Sequence, residues 1–266
     1  MGKASRTKSE ATRREKIAAQ RAAQRRAEKR RRVIMISAIA SAAVIIIGVI
    51  VGYAATRGGG GGGSSSHEAI PPGVSSGTTN VQPAALVVPN TSGISGVVAY
   101  DTAGWPSAST NGPAAKALGH THVTGPVHYS VTPPVGGDHN AVWMNCGIYD
   151  KPVPNERAVH NLEHGAVWIT YQQSLPQSEV NALRAFVEKQ TTISPGGSPA
   201  SRYMDLTPYP GLQSPIVVSS WGFQLKVSSP DDPRLQQFVN KFRASPTYTP
   251  EYGGQCTGGV GTPLQT

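Results

Sequence analysis

The stretch "AVWITYQQSLPQSEVNALRAFVEKQ", residues 166–190, decides the fold class of this chain. Its first seven residues, 166–172, have the β-branched and aromatic content of a buried strand. Pro176 then suits the start of a helix that runs to about Gln190. The apolar residues of this helix recur at the spacing of one helical face: Val180, Leu183, Phe186 and Val187. A strand followed by an amphipathic helix predicts a domain that contains both element types.

The same order of elements repeats further along the chain. Residues 214–227 predict one or two strands. Residues 233–244 predict a second amphipathic helix, with Asp231 or Asp232 near its cap. Strand, helix, strand, helix predicts a small α/β (or α+β) sandwich with helices on one face of the sheet.

This compact domain is predicted to span residues 94–266, which is enough chain for one core. A strand is predicted at 96–100 and a short one at 127–131. The remainder of 101–158 is rich in Gly and Pro and is predicted to be irregular, with Trp143 as a core anchor.

Residues 33–55, "VIMISAIASAAVIIIGVIVGYAA", contain no charge over 23 residues. A helix of that length spans the hydrocarbon core of a bilayer, about 30 Å. We therefore expect a transmembrane helix; the alternative, a cleaved secretory signal, normally has an apolar core of only about 7–15 residues. Either interpretation places the following domain outside the cytoplasm, and the uncleaved anchor makes the protein a single-pass membrane protein.

Residues 1–32 form a basic tail with 13 Lys/Arg and three acids, so the net charge of +9 for the whole chain originates there. This charge predicts a cytoplasmic N-terminus and either attraction to anionic lipid of the inner leaflet or a solvated tail that only sets topology. Nucleic-acid binding by the folded part is not expected. Residues 56–93 are predicted to be a flexible linker, with "GGGGGGSSS" at 58–66 and one strand near 84–88.

Cys146 and Cys256 are the only two cysteines. An exported compartment permits oxidation, so we expect a disulfide between them. Two free thiols, or a thiolate metal ligand, are the alternatives. A free Cys146 beside Met144 and His139 would favour a soft ion such as Cu(I).

Histidines are concentrated in one part of the domain. Six of the seven lie within 45 residues, and the last 100 residues contain none. In "VHNLEHG", residues 159–165, His160 and His164 are four apart on a short predicted helix that ends at Gly165. Imidazoles at this spacing can converge on one cation, with Glu163 as a further ligand or as a partner that orients a ring. The competing interpretation is a helix-end cap, in which the rings meet the negative end of the helix dipole.

The segments "HVTGPVHYSVTPPVGGDH" (122–139) and "GIYDKPVPNERAVHNLEHGAVWITY" (147–171) resemble a bacterial family known as domain of unknown function 3105. The resemblance covers about residues 118–245, and this chain departs from the pattern at Gly136, where the family commonly has Ser. Many members are similarly membrane-anchored or exported. The resemblance implies a shared functional set, which we treat as candidate metal ligands: His122, His139, His160, Glu163 and His164.

Three functions compete at this point. The first is a membrane-anchored extracytoplasmic protein with a Cu or Zn site on those residues. The second is a non-catalytic envelope interaction protein in which a His/Glu/Tyr network is structural. The third is a zinc-dependent hydrolase, because His160–His164 matches the pattern H-x-x-E-H with Glu163 as general base. A downstream acid would complete the third site: Glu179, Glu188 or Glu251.

Overall fold

The computed structural model describes residues 70, 72, 80–82, 84–102 and 118–265. The predicted basic tail 1–32, the predicted transmembrane helix 33–55 and most of the predicted linker 56–93 lie outside these residues. Among the helices that are described, none is long and apolar enough to cross a bilayer.

A six-stranded mixed sheet forms the centre of the domain, as expected from the strand content of the sequence. Its order is β2-β3-β10-β9-β7-β8, in which β7 and β8 are parallel and all other neighbours antiparallel. The six strands have these bounds: β2 Val87–Val88, β3 Val97–Tyr100, β7 Val167–Tyr171, β8 Met204–Pro208, β9 Ile216–Ser220 and β10 Phe223–Val227. The sequence predicted five of these six regions but gave no signal for β8, the edge strand beside β7.

Two helices cover one face of this sheet, as predicted. They are α2, Gln177–Glu188, and α3, Pro233–Phe242. Their predicted apolar faces pack in one buried cluster with alternate residues of β7, among them Val167 and Ile169. Asp232 is the N-cap of α3, since its carboxylate accepts the backbone N–H of Arg234 at 2.9 Å.

The third helix, α1 (Asn155–Glu163), packs on the opposite face of the sheet. Its Val159 and Leu162 share a buried cluster with Trp168, which alternates with Val167 and Ile169 along β7. The domain is therefore an α+β sandwich with helices on both faces of the sheet. The prediction of helices on one face holds for α2 and α3 and does not extend to α1.

In the described part of the Gly/Pro-rich half, four two-residue strands lie outside the main sheet. β1 (Asn80–Val81) pairs with β5 (Val127–His128), and β4 (His122–Val123) pairs with β6 (His139–Asn140), both in parallel. Only the β5 region was predicted from the sequence.

The C-terminal segment returns across this half and holds it in place. Bridges join Met144 to Val260 and Ile148 to Gln265. The predicted disulfide between Cys146 and Cys256 is present, and it closes a loop with a sequence separation of 110. Cys146 therefore supplies no thiolate, which removes the Cu(I) site that its free form would have favoured.

Candidate metal centre

His160 and His164 lie on one side of the end of α1. His160 is in the last turn, and His164 is the C-cap residue. Gly165 follows with φ +98°, where a Cβ atom would approach Thr249 Oγ1 to 2.8 Å. The helix thus ends at Gly165 as predicted, because the chain requires a left-handed residue without a side chain there.

His122 and His139 come from the small β4–β6 ladder. They are direct register partners, and the backbone N–H of His139 donates to Thr121 O at 3.0 Å. Asp138 fixes the same ladder, because its Oδ1 accepts the backbone N–H of Thr121 at 3.0 Å. Tyr129 Oη donates to the carbonyl of Asp138 at 2.8 Å.

These two elements bring four candidate ligands together. One ligand atom from each of the four lies within 4.8 Å of the others: His122, His139, His160 and Glu163. The last three are nearly inaccessible to solvent, with exposed fractions of 0%, 2% and 3%. The side chain of His122 is 45% exposed and forms the open side of the cluster.

Backbone carbonyls fix the orientation of three imidazoles. Nδ1 of His139 lies 2.8 Å from Gly137 O, Nδ1 of His160 lies 2.6 Å from Asn140 O, and Nδ1 of His164 lies 2.6 Å from Gln255 O. Since a carbonyl oxygen only accepts, each Nδ1 must carry the proton in the neutral ring. The lone pair is then on Nε2, which is the arrangement found in metal-bound histidines.

The Nε2 atoms face other polar atoms of the cluster. Nε2 of His139 lies 2.9 Å from Glu163 Oε2, and Nε2 of His160 lies 3.0 Å from Nε2 of His164. Burial, together with the neighbouring His164, lowers the pKa of His160 to about 3, so its ring is neutral at neutral pH.

Glu251 is a further member of the cluster. Its Oε2 lies 3.4 Å from Nε2 of His164, and its side chain is 54% exposed. Its hydrogen-bonding contact with His164, and the further imidazoles of His160 and His122, lower the pKa of the Glu251 carboxyl. The sequence suggested this residue only as one of three acids in the hydrolase pattern.

The family model described as "Protein of unknown function (DUF3105)" matches residues 120–258. The chain belongs to the DUF3105 family. The match extends beyond the resemblance recognised in the sequence and includes both Glu251 and Cys256. No curated protein and no solved structure is significantly similar to this DUF3105 chain.

The four-residue group of this DUF3105 protein contains three of the four histidines that the family resemblance singled out, namely His122, His139 and His160. His120 and His128 are exposed and are not members of the four-residue group, and His67 lies outside the described residues. His164 contacts His160 but is likewise not one of the four. Met144 and Met204 are fully buried in apolar clusters, so they serve packing.

Aromatic residues around the cluster differ from expectation. Trp143 was predicted to be a core anchor, but it is only partly buried, and its ring centroid lies 5.6 Å from that of His160 and 5.3 Å from that of His164. The indole N–H of Trp143 donates to Thr257 O in the returning C-terminal segment, and this hydrogen bond holds the ring over the site. The hydroxyls of Tyr129 and Tyr149 donate to backbone carbonyls and not to the imidazoles.

Proposed function

We propose that this DUF3105 protein is a membrane-anchored, extracytoplasmic metal-binding protein that holds a transition metal on its histidine cluster. The observation that carries the proposal is the convergence of four side chains. One ligand atom from each of His122, His139, His160 and Glu163 lies within 4.8 Å of the others, and the last three side chains are buried. Among them, Nε2 of His139 and Oε2 of Glu163 lie 2.9 Å apart.

The donor set favours Zn(II) or Cu(II). Imidazole and carboxylate ligands suit both ions, whereas the soft donors needed for Cu(I) are absent from the described cluster. The carbonyls of Gly137 and Asn140 hold the rings of His139 and His160 before any ion arrives, so little ordering entropy opposes binding. The exposed ring of His122 gives an ion access from solvent.

The location of the protein is part of the same proposal. Residues 33–55 would anchor it in the cell membrane, with the tail 1–32 on the cytoplasmic side near anionic lipid. The disulfide between Cys146 and Cys256 supports an oxidising compartment for the domain. No nucleic-acid partner is proposed.

Metal analysis of the full chain tests the proposal. The protein is purified in detergent with a histidine-free affinity tag, stripped with chelator, incubated with Zn(II) or Cu(II), dialysed and analysed for bound metal. We expect at least one ion per chain, and we expect His139→Gln to bind less metal than the wild type. His128→Gln is the matched control, because His128 is exposed and is not a member of the group. Wild-type protein that retains no metal would leave the structural His/Glu network, in which His139 is an imidazolium paired with Glu163.

A zinc-dependent hydrolase is a second candidate, favoured by the position of Glu251. The H-x-x-E-H pattern needs a downstream acid beside its two histidines, and Glu251 lies 3.4 Å from His164. The other two acids that were considered, Glu179 and Glu188, are on α2. Hydrolysis of labelled casein by the zinc-loaded chain, abolished by Glu163→Gln with zinc retained, would support this candidate. Equal activity of that variant and the wild type would exclude Glu163 as the base.

A further inference from the structure

The cluster contains two separate sets of ligand atoms at the spacing of a metal site, and we propose that it holds two cations. One ion lies on His122, His139 and Glu163, and the other lies on His160, His164 and Glu251. Each ion thus receives two imidazoles and one carboxylate. This inference rests on the proposed function and deepens it, because it assigns a second metal position and names its ligands.

The first position is defined by Glu163. Its Oε2 lies 2.9 Å from Nε2 of His139 and 3.8 Å from Nε2 of His122. Two ligand atoms on one tetrahedral zinc, each about 2.0–2.1 Å from the ion, are roughly 3.3 Å apart. One of these two separations is shorter than this value and the other is longer. Small movements of the side chains would therefore bring all three ligand atoms to the distances that one zinc ion requires.

The second position is defined by His164. Its Nε2 lies 3.0 Å from Nε2 of His160 and 3.4 Å from Oε2 of Glu251. Both separations are close to the spacing that one tetrahedral ion requires. Nδ1 of each histidine is bonded to a backbone carbonyl, so Nε2 is the nitrogen that each ring can offer to an ion. A single ion on the group of four would use neither His164 nor Glu251, because neither belongs to that group.

The two positions are neighbours. A ring nitrogen of His160 also lies within 4.8 Å of the ligand atoms of the first position, and the rings of His122 and His160 are stacked with centroids 5.0 Å apart. Protein sites for two divalent ions typically separate them by about 3.5–4 Å. The side chains of His122 and Glu251 are exposed, so the cluster is open to solvent on their side. Water or an anionic ligand could enter there and bind between the two ions. The class of ligand is therefore a pair of first-row divalent cations.

Stoichiometry separates this inference from the proposed function. The full chain is loaded with Cu(II), dialysed and analysed for copper per chain, together with Glu251→Gln, His164→Gln and the control His128→Gln. We expect two ions in the wild type and the control, and one in each of the other two variants. Glu251 is exposed, so its substitution tests the second position without disturbing packing. One ion in the wild type overturns the two-cation inference and leaves the proposed function intact, whereas no ion overturns both.

Electron paramagnetic resonance of the same samples shows where the second ion lies. Two Cu(II) ions a few ångströms apart couple magnetically, so we expect the wild type to give a weakened and broadened signal for its copper content. Glu251→Gln, with one ion, should give the full signal of an isolated Cu(II) centre. Two ions with uncoupled signals would place the second ion elsewhere on the surface and would overturn the inference.

Discussion

His122 and His139 face each other across a two-residue parallel ladder, with ring centroids 4.9 Å apart. The ladder is too short to be stable by itself, so its position depends on side chains that bind its backbone. Asp138 provides the main tie, from its carboxylate to the N–H of Thr121. The open half of the candidate site is therefore ordered by this hydrogen bond together with those donated by the His139 N–H and the Tyr129 hydroxyl.

Asp138→Ala should weaken metal binding without unfolding the domain. Loss of the acceptor frees the Thr121–His122 backbone, and the loss of an orienting partner typically lowers metal affinity by roughly 10- to 100-fold. Isothermal titration with Zn(II) measures the change. Asp138→Asn keeps a side-chain oxygen and should bind within a few-fold of the wild type; equal losses in both variants would assign the effect to charge.

Removal of metal should lower the thermal stability of the domain. An ion that binds only the folded chain adds about 2.7 kcal/mol when its free concentration is one hundred times Kd. For a domain of this size, that shifts Tm by roughly 5–10 °C. Circular dichroism melts with Zn(II) and with chelator measure the shift, and Glu163→Gln should show a smaller shift than the wild type.

Asp205 should make the stability of the domain depend on pH. Its carboxyl is completely buried, and burial raises its pKa to about 7, although Asn161 and the N–H of Gly147 donate to it. Between the unfolded pKa near 3.9 and this value, the folded chain binds one more proton than the unfolded chain. Stability from this group therefore falls as pH rises through that window, by up to about 1.36 kcal/mol per pH unit.

His160 acts in the opposite direction in the apo protein. Its pKa is lowered to about 3, so the unfolded chain binds the extra proton below about pH 6.5, and stability rises with pH. In the wild type, the changes in unfolding free energy with pH that come from Asp205 and from His160 have opposite signs. Urea unfolding in chelator at about pH 4.5 and 6.5 should show a steeper rise for Asp205→Asn than for the wild type. Identical slopes would mean that Asp205 is ionised throughout.

Loss of the disulfide should destabilise both the domain and the second metal position. The combined substitution Cys146→Ser and Cys256→Ser opens a long loop, which typically costs about 2–5 kcal/mol. It also frees Gln255, whose carbonyl orients His164. Urea unfolding and copper content measure the two effects; a destabilised variant that still binds two ions would show that the segment stays in place without the bond.

Gly254→Ala should displace His164 selectively. A Cβ at this position would collide with the His164 ring, and the backbone of Gly254 is not left-handed, so the collision is the main consequence. We expect one Cu(II) per chain where the wild type binds two, with nearly wild-type circular dichroism. An unchanged copper content would contradict the orientation assigned to His164.

The sequence was sufficient for the regular half of the fold. Apolar periodicity predicted α2 and α3, because each buries one face. The β-branched and aromatic content predicted β7, which is buried completely. The sequence did not predict β4 and β6, because two-residue strands carry no periodicity. It did not predict the face on which α1 packs, which depends on Trp168 pointing away from Val167 in the folded sheet.

The candidate site was predicted only in part for a related reason. The spacing of His160 and His164 is local, so it was visible in the sequence, whereas the pairing of His122 with His139 depends on a long-range register. Glu251 is 87 positions after His164, and only the returning C-terminal segment brings them together. The backbone carbonyls that accept from the histidine Nδ1 atoms could not be predicted from the sequence, because every residue has a backbone carbonyl.

The long separation between His164 and its acceptor has a consequence for biosynthesis. Residue 255 is made 91 positions after His164, so a chain still growing on the ribosome has no carbonyl to hold that ring. Until residue 255 is made, the His164 ring can carry its proton on either nitrogen. Until residue 256 is made, Cys146 has no partner for its disulfide. Synthesis of residues 255 and 256 therefore precedes both the oxidation of the thiols and the orientation of the His164 ring by its carbonyl acceptor.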